Sequence, residues 1–158
     1  MEPIQQGNNM SIFFRGVGAF LLALSAAAQA HEAESYENIV ATPIEISEQS
    51  ATVVGEEYRY PSGKPVLLAY RIVLKPGTKT SWHKHSVPLF AYVMSGVLEV
   101  DYGSKGVKRF EKGMSFVEAI EWCHQGVGLG DEEVVVLGLY LGEDSPESAK
   151  PIVCDGPQ

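Results

Sequence analysis

No stretch after residue 31 sustains a helical period over ten residues. From about Ile44 the chain runs instead in short apolar or alternating segments cut by turn residues. That pattern confines it to an all-β architecture, a sandwich or a barrel. Val66–Leu74 (VLLAYRIVL) stops at Lys75-Pro76-Gly77, a proline–glycine turn. Phe90–Met94 meets Ser95-Gly96, Val97–Tyr102 largely alternates, and Gly103-Ser104-Lys105-Gly106 reads as a hairpin loop. Val107–Phe110, Met114–Val117 and Trp122–Gln125 are shorter strand expectations. Val134–Leu141 (VVVLGLYL) is too apolar for an exposed edge and belongs in a core. With 158 residues, 45% hydrophobic, the chain has enough apolar material for one domain and no repeat that would divide it into two.

The first thirty residues read as an address. After Arg15 an uncharged apolar run extends from Val17 to Ala28, and Ala28-Gln29-Ala30 supplies a small-x-small cleavage site. The run of 12 residues is too short for a membrane span, which takes about 18. The expected division is a signal peptide over 1–30, with Met10 a credible true start. A polar N-terminal extension over 31–49 packs loosely or adds an outer strand, a β-barrel covers 50–142, and a tail rich in Ser, Pro and Glu covers 143–158. The expected location is the periplasm, or outside the cell if there is no outer membrane, with no membrane association after cleavage. Cleavage leaves His31 as a terminal histidine of no assigned role.

Acidic residues outnumber basic ones by 20 to 12, a formal charge of -8. With no basic cluster to offset it, nucleic acid is excluded as a partner. Two cysteines cannot form a four-thiolate metal site. For Cys123 and Cys154 two readings stay open: one disulfide pinning the tail to the barrel, or two free thiols too far apart to bond. Neither a Ser-His-Asp nor a Cys-His arrangement is recognisable.

Of the four histidines, His83 and His85 stand two apart in an expected strand, so both rings point to one face. His124 follows in a later segment. Gly77, five residues, His83-Lys84-His85 and later Gly96 resemble the first signature of the cupin superfamily: Gly, five residues, His-x-His, three or four residues, Glu, six residues, Gly. Gly113 and His124 resemble the second, with Ala119, Glu121 and Gly128 in place of its proline, glycine and asparagine. In the register set by Gly96, Leu89 stands where the family carries its glutamate ligand.

The resemblance implies a cupin-type double-stranded β-helix, or jelly roll, with His83, His85 and His124 as metal ligands and no carboxylate in the usual place. Glu118 and Glu121 are the candidates for a late carboxylate, although a turn glutamate in an acidic protein is ordinarily solvated. A divalent ion held by three neutral imidazoles keeps its full charge and open positions, which favours bidentate anions such as an enolate, a thiolate with a carboxylate, or a hydroxy acid. By analogy with cysteine dioxygenase and the diketone-cleaving dioxygenase, which are similar in using three histidines, the expected ion is Fe(II). Mn, Zn, Ni and Cu are the alternatives. Ser81, Leu89, Ala91, Phe116 and Trp122 are the expected pocket-lining residues. The expected activity is dioxygenase-like action on a small anionic molecule; the alternative is a binding module using the same pocket. Cupins pair by sheet edges, which implies a homodimer.

Overall fold

The computed structural model describes residues 35–36 and 39–158, so the signal peptide, Met10 and His31 lie outside the described residues. Eleven strands run through the described residues: β1 Ser35–Tyr36, β2 Ile39–Val40, β3 Pro65–Leu74, β4 His83–Lys84, β5 Leu89–Ser95, β6 Val97–Asp101, β7 Val107–Glu111, β8 Ser115–Val117, β9 Gln125–Leu129, β10 Val134–Glu143 and β11 Ile152–Val153. Among these residues the only helical turns are two short 3-10 segments, Gly103–Lys105 and Pro146–Ala149. All the strand pairs are antiparallel.

A four-stranded sheet, ordered β3-β10-β5-β8, faces a three-stranded sheet ordered β7-β6-β9, and β4 pairs with β11. This is an all-β jelly roll. β10 is central, paired with β3 along its whole length and with β5 on its other side. That placement explains its near-continuous apolar composition, because a central strand has no solvent-facing edge. Alternation sets the inner face: Leu89, Ala91 and Val93 of β5 are buried, as are Leu98 and Val100 of β6. The core joins both sheets through Ala91, Val93, Leu98, Val100, Phe110, Phe116, Val134 and Val136. Phe110 and Phe116 stack with ring centroids 3.7 Å apart.

The chain passes from one sheet to the other at Gly96, between β5 and β6. Its φ is +73°, and a Cβ there would lie 2.9 Å from the Glu133 carbonyl oxygen and 3.0 Å from the Val134 Cα. Only glycine meets both demands at this corner.

Two strand expectations shift. The segment expected over Trp122–Gln125 instead forms β9 from Gln125, with His124 in a single bridge to His83. Of the two glycines in this strand, Gly128 sits where neighbours approach closely. A Cβ on Gly128 would stand 3.1 Å from the Lys75 carbonyl oxygen. Likewise the expected strand through His83 and His85 covers only His83–Lys84, and His85 makes a separate bridge to Ile120.

Beyond the barrel core, the N-terminal extension docks at Ser115, whose Oγ donates to the Glu45 carbonyl at 2.6 Å. The tail contributes the 3-10 turn over Pro146–Ala149 and strand β11, so it is structured rather than a loose end.

Candidate metal centre

His83 and His124 face each other across their bridge and exchange both backbone hydrogen bonds, at 3.0 and 2.8 Å. This pairing sets their rings side by side, 4.6 Å between centroids, and the His85 ring stands 5.0 and 5.1 Å from the other two. One nitrogen from each ring falls within 4.8 Å of the others. His85 and His124 are each 2% exposed, so the cluster is an interior feature rather than a surface pair.

The hydrogen bonds around the rings define their chemistry. The Nδ1–H of His83 donates to the Ser81 carbonyl at 2.8 Å, and that of His124 to the Trp122 carbonyl at 2.9 Å. In that tautomer each presents a bare Nε2 lone pair, the form that binds metals. The buried Nδ1 of His85 has no partner. Burial above all, then the neighbouring His124 and His83, pushes the His85 pKa down to about 2. Burial lowers that of His83 as well, with the Ser81 hydrogen bond opposing. Two locked tautomers, an orphaned buried nitrogen and imidazoles held neutral together fit a divalent ion, and the three histidines form a group able to hold one.

These shifts carry a consequence for the metal-free protein. An unfolded histidine titrates near 6.5, whereas folded His85 stays neutral down to about 2. Between those values the unfolded chain binds more protons, so stability falls as pH falls through 6.5 and below. Urea unfolding in chelator is expected to show a loss of about 1 kcal/mol from His85 between pH 7 and pH 5.5. A His85→Gln variant should lack that component, and an identical pH dependence in the two proteins would refute the account.

The rings open into a cavity of about 70 Å³ between the two sheets. Its walls are Ile72, Leu74, Leu89, Ala91, Leu98, Val100, Phe116 and Val136, with Thr80, Glu118 and Tyr140 as its polar members beside the histidines. No Lys or Arg is among the described residues that line it. At Gly138 a Cβ would press to 3.3 Å from Ile72 and from Leu89, so glycine keeps this wall from filling the space.

The expected lining residues divide. Leu89, Ala91 and Phe116 line the cavity, whereas Ser81 and Trp122 do not. Ser81 serves the site through its carbonyl, and Thr80 is the residue that faces in. Trp122 is half-buried and packs against the main core cluster instead of lining the cavity. Its Nε1 donates to the Tyr102 carbonyl at 2.8 Å, and Lys105 Nζ lies 4.1 Å over its ring.

The two carboxylate candidates also separate. Glu121 is on the surface, paired with Lys84, and does not approach the rings. Glu118 is 6% exposed and lies inside. Its Oε1 accepts hydrogen bonds from the Tyr102 hydroxyl at 2.7 Å and the Ala119 amide at 2.8 Å, and its Oε2 stands 3.7 Å from His124 Nε2. Burial, then the Glu118 charge, pushes the Tyr102 hydroxyl well above its usual range, so it remains a donor. Glu118 is therefore a carboxylate beside the cluster, held by one oxygen.

Tyr102, Thr80 and Tyr140 carry no motif signal. Tyr102 completes the inward alternation Leu98, Val100, Tyr102, and Tyr140 that of Val136 and Gly138, which are the marks each leaves in the sequence.

Cys123 and Cys154 are joined in a disulfide, with Cα atoms 6.3 Å apart, next to His124.

Residues 70–140 match the family model for the cupin domain. This segment is a cupin domain. No curated protein matches the chain. Among solved structures, the chain resembles the DMSP lyase DddQ of Ruegeria pomeroyi at 18% identity and a TM-score of 0.49, over 57% of this chain and 45% of that one. A cupin-like protein of Thermotoga maritima is 22% identical with a TM-score of 0.48, over 56% and 64% of the two chains. A double-stranded β-helix protein of Klebsiella pneumoniae is 17% identical with a TM-score of 0.48, over 73% and 100%. The match therefore spans less than half the length of the lyase.

Proposed function

We propose that this chain is an exported cupin that holds a divalent ion, Fe(II) by preference and otherwise Mn, Zn, Ni or Cu, on His83, His85 and His124. It takes a small anionic, metal-chelating molecule into the cavity for oxygen-dependent chemistry. One observation carries the reading: three imidazoles, two of them tautomer-locked by backbone carbonyls, converge on an apolar cavity whose described walls hold no cationic side chain. When bound, the ion supplies the positive charge that an anion needs there. The aliphatic walls exclude water, and Glu118 offers its Oε2 as an acceptor for a hydroxyl or thiol of the guest. Export is supported by the apolar run before Ala30 and by the disulfide, a bond of oxidising compartments. A second copy pairing along β3 is supported by the edge position of that strand among the described residues and by Leu67 on it, 64% exposed.

The test is to titrate the Fe(II)-loaded chain with 2-hydroxy, 2-oxo and 2-mercapto acids while recording thermal unfolding and dissolved oxygen. A ligand at a hundred times its Kd is expected to add about 2.7 kcal/mol of stability, with oxygen consumed. Stabilisation without oxygen uptake or product would make the protein a binding module. No response to any of them would sink both.

A further inference from the structure

Tyr140 lies on β10 with its residue 6% exposed, and it lines the cavity. Its ring is clamped by two neighbours. The His85 ring stands 5.3 Å away and the Tyr70 ring 5.5 Å away, both edge-on. Leu68, Val87, Leu89 and Ala149 pack with it in a second apolar cluster. A ring so held has little freedom to turn, so its hydroxyl is pre-aimed. That hydroxyl makes no hydrogen bond among the described residues, in contrast with Tyr102, whose hydroxyl is satisfied by Glu118. The hydroxyl is not among the fully enclosed unpaired atoms, so it reaches open space, and a donor open at a cavity wall is a place for a guest's acceptor.

We propose that Tyr140 is a ligand-binding residue of this site, its hydroxyl donating to the carboxylate of a short-chain 2-hydroxy or 2-oxo acid whose remaining oxygens face the histidines. The inference rests on the metal-bearing reading above and narrows it to a substrate class. Three features select that class. The cavity of about 70 Å³ admits only a small body, and its aliphatic walls suit a short alkyl chain. With no Lys or Arg among the lining residues, a carboxylate there depends on the ion and on neutral donors such as the Tyr140 hydroxyl. The Glu118 carboxylate, 3.7 Å from His124, repels a second negative charge and so disfavours dicarboxylates.

The experiment loads the full chain and its Tyr140→Phe variant with Co(II). It measures bound cobalt, then titrates with 2-hydroxybutyrate, pyruvate, malonate and acetate, reading the visible absorption of the ion. The phenyl ring preserves the packing, so bound cobalt and melting temperature should match in the two proteins. The variant loses a hydrogen bond to a charged group, so it is expected to bind 2-hydroxybutyrate and pyruvate at least about tenfold more weakly. Malonate and acetate should bind weakly to both. Equal affinity of the two proteins for the short acids, or a preference for malonate, would overturn the inference while leaving the metal site intact. Failure of the wild type to bind cobalt would instead overturn the metal-site reading, and this inference with it.

Discussion

Replacing His83 and His124 together by alanine is expected to take bound metal from about one equivalent per chain to below about a tenth. The two residues hold the paired half of the cluster, with rings 4.6 Å apart. Their loss leaves only His85, and one imidazole cannot chelate. The backbone exchange between positions 83 and 124 uses main-chain atoms, so it survives the substitution. What the variant also loses is the pair of Nδ1–H bonds to the Ser81 and Trp122 carbonyls. Unfolding in urea must therefore accompany the elemental analysis, to establish that the variant is folded when it is assayed. The identity of the ion in the wild type then steers the search for substrate, iron towards oxygen-consuming reactions and zinc towards hydrolysis or isomerisation. A wild type that carries no metal and takes up none of Fe, Mn, Zn, Ni or Cu would end the metal-site reading. So would a folded variant that still binds a full equivalent.

Removing the disulfide by a Cys123→Ala/Cys154→Ala double variant is expected to cost about 3–4 kcal/mol, the chain-entropy value for its separation of 31 residues. For a domain of this size that corresponds to a fall in Tm of about 10–15 °C. The bond also has a local role. Strand β4, which carries His83, is flanked on one side by β11, with Val153 opposite His83, and on the other by the His124 segment. The Cys154 amide donates to the Trp82 carbonyl at 2.9 Å, and the disulfide ties the two flanks to each other. Without it β11 is a two-residue strand with Val153 76% exposed, too small to hold its place by burial. Weaker metal binding is thus expected to accompany the lost stability. An unfolding free energy within about 0.5 kcal/mol of the wild type would refute the account.

The strands with strong local patterns were legible before any coordinates. Val66–Leu74 and Val134–Leu141 read as apolar runs ended by turns, and they form β3 and β10 within two residues at each end. The cluster was legible through spacing, since Gly77, His83, His85 and Gly96 fall at the intervals of a known signature. β9 was less legible, because Gly128 is there for the closeness of Lys75 and Val134, partners remote in sequence. Parity misled at Trp122, which packs against the main core cluster and not on the cavity wall.

Glu118 and Glu121 give the clearest contrast. Both are turn glutamates three residues apart, and nothing in the local sequence ranks them. One is paired with Lys84 at the surface, and the other is enclosed with Tyr102 beside His124. The difference lies in which distant residue each meets, which is a property of the folded sheets.

The sequence by itself determined the all-β class, the order of the principal strands and the spacing of the three histidines, because alternation, turn residues and fixed intervals are local quantities. Tertiary structure alone decided which carboxylate lies beside the rings, which tautomers the ring bonds select, that Cys123 meets Cys154, and that Tyr140 stands at the cavity wall. Each of these depends on contacts between segments far apart in the chain, and burial and hydrogen bonding are set only when the two sheets close over one another.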